Sequence, residues 1–97
     1  MNFLPLLALV SAPAVTQPDP TQNCPLIGEI AASTLTAYNV GVPMAEMMEI
    51  ADGDKLLIAI IMDAYDEPRY STDEVIAEAT FDFRNRWEHA CFQELSN

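Results

Sequence analysis

From Asn23 onward, apolar residues recur at helical spacing, and no segment alternates apolar and polar positions over the length that a half-buried strand requires. The predicted fold class is therefore all-α, a small bundle of about four helices. In NCPLIGEIAASTLTAYNVG, residues 23–41, Ile27, Ile30, Ala31, Thr34 and Tyr38 fall on one face of a first helix, and Cys24 projects from the same face. Asn23 suits the N-cap, Pro25 the first turn where its missing N–H costs nothing, and Gly41 lies just past the end. A short second helix follows in GVPMAEMMEIADGD, opened by Pro43 and stopped at the Asp52-Gly53-Asp54 turn, with Asp54 capping a third. In that third helix, KLLIAIIMDAY, the run from Leu56 to Met62 has no polar side, which predicts a central helix enclosed by the other three. The fourth, from about Thr72 to Leu95, is long enough to serve as a spine, with Ile76, Ala79, Thr80, Phe83, Trp87, Ala90 and Cys91 sharing one face.

The polar segment YDEPRYSTDE, residues 65–74, separates the last two helices. Pro68 disfavours helical geometry at Glu67 and so ends the third helix. Ser71 with Glu74 is spaced as a capping box, and Tyr70 with Val75 as its hydrophobic staple. Arg69 alone has no such local duty; lying among Asp66, Glu67 and Asp73, it either neutralises them or is available to a partner. Asp63 reads as a helix-end acid turned to solvent, and Asp82 with Arg86 and Arg84 with Glu88 have the spacing of helical ion pairs. Met44, Met47 and Met48 read as core filling around a short helix, a soft binding groove being the alternative. Phe81 and Phe92 lie to one side of the main face of the fourth helix, where they either pack beneath neighbouring helices or form an exposed patch. Arg69, Tyr70, Phe81 and Phe92 are accordingly the candidate partner-binding residues.

The first residues bear on compartment. MNFLPLLALVSAPAVTQPDP joins a short apolar run, Phe3 to Val10, to small residues at Ala12 and Ala14 and then to a polar, proline-containing stretch. This is the grammar of a signal peptide over residues 1–14 and a flexible linker over 15–22, leaving 23–97 as the helical domain. The apolar run is far shorter than the roughly 20 residues of a spanning helix, so no stable membrane anchor is expected. Export, periplasmic or secreted, would take Cys24 and Cys91, the only cysteines, into an oxidising space. Antiparallel pairing of the first and last helices would bring the two together, and a disulfide between them would staple a chain near the lower size limit for one core.

Charge narrows the partners. Fifteen acids against four bases leave a formal net charge of -11, and binding nucleic acid takes a basic stripe that this chain lacks. Such a surface favours solubility and basic partners. The inventory for catalysis is thin. His89, the single histidine, falls on the polar side of its helix away from Cys91, so no nucleophilic Cys–His pair is expected. The cysteines and histidine lack zinc-site spacing, the aspartates of the DGD turn lack the other ligands of a calcium loop, and no glycine-rich phosphate loop occurs. No enzymatic activity, metal or cofactor is expected.

GVPMAEMMEIA, AYDEPRYSTDE and FRNRWEHACF, together with the upstream Cys24, resemble segments of a group of small exported helical proteins of bacteriophages and proteobacteria. The resemblance spans nearly all of the chain past the leader and implies helical segments and a pair of terminal cysteines; it implies no ligand, activity or catalytic residue. In size, single disulfide and helical content the chain is also similar in form to periplasmic acid-stress chaperones and to small helical immunity proteins. The expected function is that of an exported interaction protein with a protein partner, such as a phage-encoded modulator of an envelope protein. The alternative is an acid-responsive periplasmic chaperone.

Overall fold

Asn23 starts the first helix by accepting, through Oδ1, a hydrogen bond from the Leu26 amide at 3.3 Å. The computed structural model describes residues 23–96, so the expected signal peptide and linker lie outside the described residues. Helix α1 spans Cys24–Asn39 and yields to a turn at Val40, followed by Gly41 in the left-handed region at φ 93°. Pro43, its φ of -64° fixed by the ring and its ψ extended at 144°, precedes α2, Met44–Ala51. Asp52 at φ 47° and Gly53 at φ 82° reverse the chain, and Asp54 accepts from the Leu57 amide at 3.0 Å to open α3, Lys55–Tyr65. After the loop at residues 66–72 comes α4, Asp73–Ser96. The described residues contain four helices and no strand, the all-α class that the periodicity predicts.

The start of α4 differs from expectation by one residue. The Val75 amide donates to Thr72 Oγ1 at 3.4 Å and the Ile76 amide to the Thr72 carbonyl at 2.9 Å, so Thr72 and not Ser71 is the cap. Both hydroxyl residues cap well, and a threonine cap places Asp73 and Glu74 at the first two helical positions, where free amides and the helix dipole favour carboxylates. The shift also takes Tyr70 and Val75 out of staple register, and both are exposed.

Helix α1, not α3, is central. Its longest packing is against α4, it meets α3 on another side, and α2 rests mainly on α3. Ile27, Ala31, Leu35 and Tyr38 of α1 meet Ile60 and Ala64 of α3 and Phe83 of α4 in one core. The expectation of an enclosed α3 therefore fails: Ile60, Ile61 and Ala64 are buried, whereas Ala59 and Met62 face solvent, Met62 at 52% exposure. The long fourth helix lies along α1, so α3 lacks the neighbours needed to cover its whole circumference. As a flanking helix, α4 sinks only Phe83 fully, a burial that contributes about 1.5–3 kcal/mol. Ile76, Ala79, Thr80, Trp87 and Cys91 are half-buried, and Ala90, expected on the same face, is exposed.

Cys24 and Cys91 form the expected disulfide, with Cα atoms 5.4 Å apart across a sequence separation of 67. It ties the first residue of α1 to the C-terminal part of α4. No helix among the described residues is long and apolar enough to cross a membrane.

Candidate functional site

The loop between α3 and α4 is bound down by aromatic residues rather than left open. Tyr38 at the end of α1 donates its hydroxyl hydrogen bond to the Glu67 carbonyl, while Tyr65 at the end of α3 donates to the Val42 carbonyl between α1 and α2. The two rings meet edge to face with centroids 4.8 Å apart. Burial raises the Tyr65 pKa, with Arg69 pulling the other way. Arg69, the residue without a local duty in the sequence, places its guanidinium 4.7 Å over the Tyr38 ring. It thus has a structural task beyond balancing the nearby acids. Tyr70, beside it, is 37% exposed and points no comparable anchor into the fold.

Asp63 is not the solvent-facing helix end that its position suggests. Its Oδ2 accepts from Trp87 Nε1 at 2.9 Å and from Arg86 at 3.2 Å, while the same guanidinium reaches Glu67 at 3.1 Å. Arg86 therefore joins α4 to the end of α3 instead of pairing with Asp82 along its own helix, because two carboxylates from a neighbouring segment converge on it. It also lies 5.1 Å from the Phe83 ring centre. The other expected pair, Arg84 with Glu88, forms at 3.1 Å. All three arginines are thus engaged within the fold, and Lys55 is the remaining basic side chain.

Several large apolar side chains remain exposed. Phe81 is 63% exposed and Phe92 52% exposed, so neither ring is buried beneath a neighbouring helix, and the alternative of exposed rings is the one observed. Their spacing of eleven residues repeats after three helical turns, which sets them on one stripe about 16 Å apart. Arg69 and Tyr70 lie in the loop and do not belong to this stripe. Beside Phe81 a shallow cleft of 420 Å³ runs between α4 and α1, bordered by Ala32, Thr36, Ile76 and Ala77.

A second open surface corresponds in part to the binding groove that was the alternative reading of the α2 methionines, with Met47 in its lining. The methionines of α2 are half-buried, not core: Ala51 is the one buried residue of that helix. An eight-residue helix resting on α3 leaves a gap towards α1, and Met47 and Ile50 line it opposite Leu26 and Ile30, with Leu57 and Ile61 as its floor. This groove measures 340 Å³ and opens to solvent. The signal for it was present in Ile50, which continues the Met47 face of α2 on a helix too short to cover that face.

His89 is exposed, and no group of His, Cys, Asp and Glu among the described residues is placed to hold a metal. Both cysteines are consumed by the disulfide. No protein-family model, curated protein or solved structure matches this chain.

Proposed function

We propose that this is an exported helical module that acts by binding another protein through the outer face of α4. The carrying observation is Phe81, a large aromatic left 63% exposed on α4 at the edge of the shallow cleft between α4 and α1. Aromatic side chains supply much of the binding energy at protein interfaces, and Phe81 with Phe92 on one stripe of α4 offers two such anchors. The disulfide fits an oxidising compartment, and the expected leader supplies the route there. An exported chain meets the proteins of the cell envelope, which makes one of them the target class.

The experiment is crosslinked capture from the cell envelope, repeated with Phe81→Asp and with the purified captured component. Capture of one or a few proteins, lost with Phe81→Asp while the helical spectrum is retained, supports the reading. Equal capture by the variant overturns the α4 face as the contact. An acid-responsive chaperone would instead hold many clients at acid pH and few at neutral pH, so running both conditions separates the two.

A further inference from the structure

The groove between α1, α2 and α3 has a shape and a charge that select one class of occupant. We infer that it receives a basic amphipathic helix of a partner protein. This rests on the reading of the chain as a binding module but concerns a surface separate from Phe81. Leu26, Ile30 and Thr34 recur every four residues along the α1 wall, a stretch of about two turns. That is the length over which a helix presents anchors at i, i+3 or i+4, and i+7 to a groove. The opposite wall contributes Met47, whose unbranched, polarizable side chain adapts to varied apolar surfaces, and Ile50, 71% exposed at the lip.

The charge around this groove is one-sided. Glu29 lines it directly, Glu46 and Glu49 stand exposed on α2, and Asp52 and Asp54 follow in the adjoining turn, against Lys55 alone. The three arginines are drawn to other contacts: Arg69 over Tyr38, Arg84 to Glu88, and Arg86 to Asp63 and Glu67. An apolar groove with Glu29 in its lining and further acids exposed on the adjoining helix and turn attracts a ligand with basic residues beside its apolar stripe and repels an acidic one. It also disfavours a second copy of this chain, which carries a net charge of -11, and an anionic lipid surface.

The test uses the oxidised protein and three synthetic peptides of about 18 residues, a length of some five helical turns. One is helical with a leucine stripe and lysines elsewhere, one replaces the lysines by glutamates, and one keeps the lysines but replaces the leucines by glutamine. Affinity is measured by calorimetry and the contact mapped by amide chemical shifts. The expected result is binding of the leucine–lysine peptide with shifts centred on Leu26, Met47 and Ile50, and at least tenfold weaker binding of both other peptides. Ile50→Asp should weaken the first peptide at least tenfold, and Phe81→Asp should change it by less than twofold; the high exposure of both positions keeps the variants folded, which their thermal transitions check. The inference is overturned if the leucine-free peptide binds as well, if Ile50→Asp is silent, or if sedimentation shows a dimer that Ile50→Asp dissociates, which would assign the groove to a second copy. Failure here with envelope capture still dependent on Phe81 removes the groove proposal and leaves the binding-module reading standing.

Discussion

Gly28 lies buried where α1 meets α4, and a Cβ there would overlap Glu88 at Cγ, Cδ and Oε2. The collision reaches back to Cγ, so a small turn of the carboxylate does not relieve it, and Glu88 would have to abandon Arg84 as it moves. Gly28→Ala should therefore cost about 1–3 kcal/mol from overpacking, reduced by roughly 1 kcal/mol because alanine favours the helix. In a Glu88→Ala background the collision disappears and the same substitution should stabilise by up to about 1 kcal/mol. Urea unfolding of the four proteins measures this reversal; the same sign in both backgrounds would contradict it. A second residue-scale outcome concerns the cap of α4. Thr72→Ala should lose about 0.5–2 kcal/mol, whereas Ser71→Ala, outside the helix, should stay within about 0.5 kcal/mol. Thermal unfolding distinguishes them, and equal losses would return the cap to Ser71.

Between elements, the joint of α3 with α4 depends on Asp63 more than on the apolar run before it. One carboxylate receives both the indole N–H of Trp87 and the guanidinium of Arg86. Asp63→Ala leaves that half-buried indole without its acceptor and should cost about 1–3 kcal/mol, while Glu67→Ala, which removes one partly exposed ion pair, should cost about 0–1 kcal/mol. Trp87 is the only tryptophan, so its fluorescence reports this joint directly. An unchanged emission spectrum in Asp63→Ala would show that the contact is not maintained in solution. The caps at Asn23 and Asp54, the breaks at Pro43 and at Asp52-Gly53, and the paired cysteines were legible in the sequence because each is decided by neighbours in the chain. Burial around α3 was not. Seven apolar residues in succession say what a helix tolerates on every side, but Met62 is 52% exposed because none of the described elements packs over that side. Asp63 was misread for the same reason: its partners Arg86 and Trp87 lie on another helix, and no local spacing announces them. Of the candidate residues, the exposure of Phe81 and Phe92 was foreseen only as one of two alternatives, and the stacking of Arg69 on Tyr38 depends on a contact across 31 positions that periodicity does not encode.

At the scale of the whole molecule, the paired tyrosines connect the two loops to the body of the fold and make its stability sensitive to alkali. Burial raises the Tyr65 pKa, so the neutral phenol is favoured in the folded state over the unfolded one. The sign follows from linkage: this contribution is fully present below the unfolded tyrosine pKa of about 10 and is lost as pH rises through the higher folded value. Tyr65→Phe removes the titration along with the hydrogen bond to Val42, costing about 0.5–1.5 kcal/mol at neutral pH. The gap between wild type and variant should then close above about pH 10. Urea midpoints taken from pH 8 to pH 11 test this, and two curves that stay parallel throughout would rule it out.

The disulfide also decides how the domain carries a mechanical load. Cys24 opens α1 and Cys91 lies near the far end of α4, yet their Cα atoms are 5.4 Å apart, so tension on the flanking segments enters and leaves through one covalent bond. The helices between them form a slack loop shielded from the force. In an optical trap the oxidised domain should give no unfolding step between these two points, whatever its thermodynamic stability. Adding reductant under tension should release the 67-residue separation at once, an extension of about 220–240 Å for a fully stretched chain. A protein held at both ends in an oxidising space would thus behave as a short inextensible link, and reduction would convert it into an extensible one.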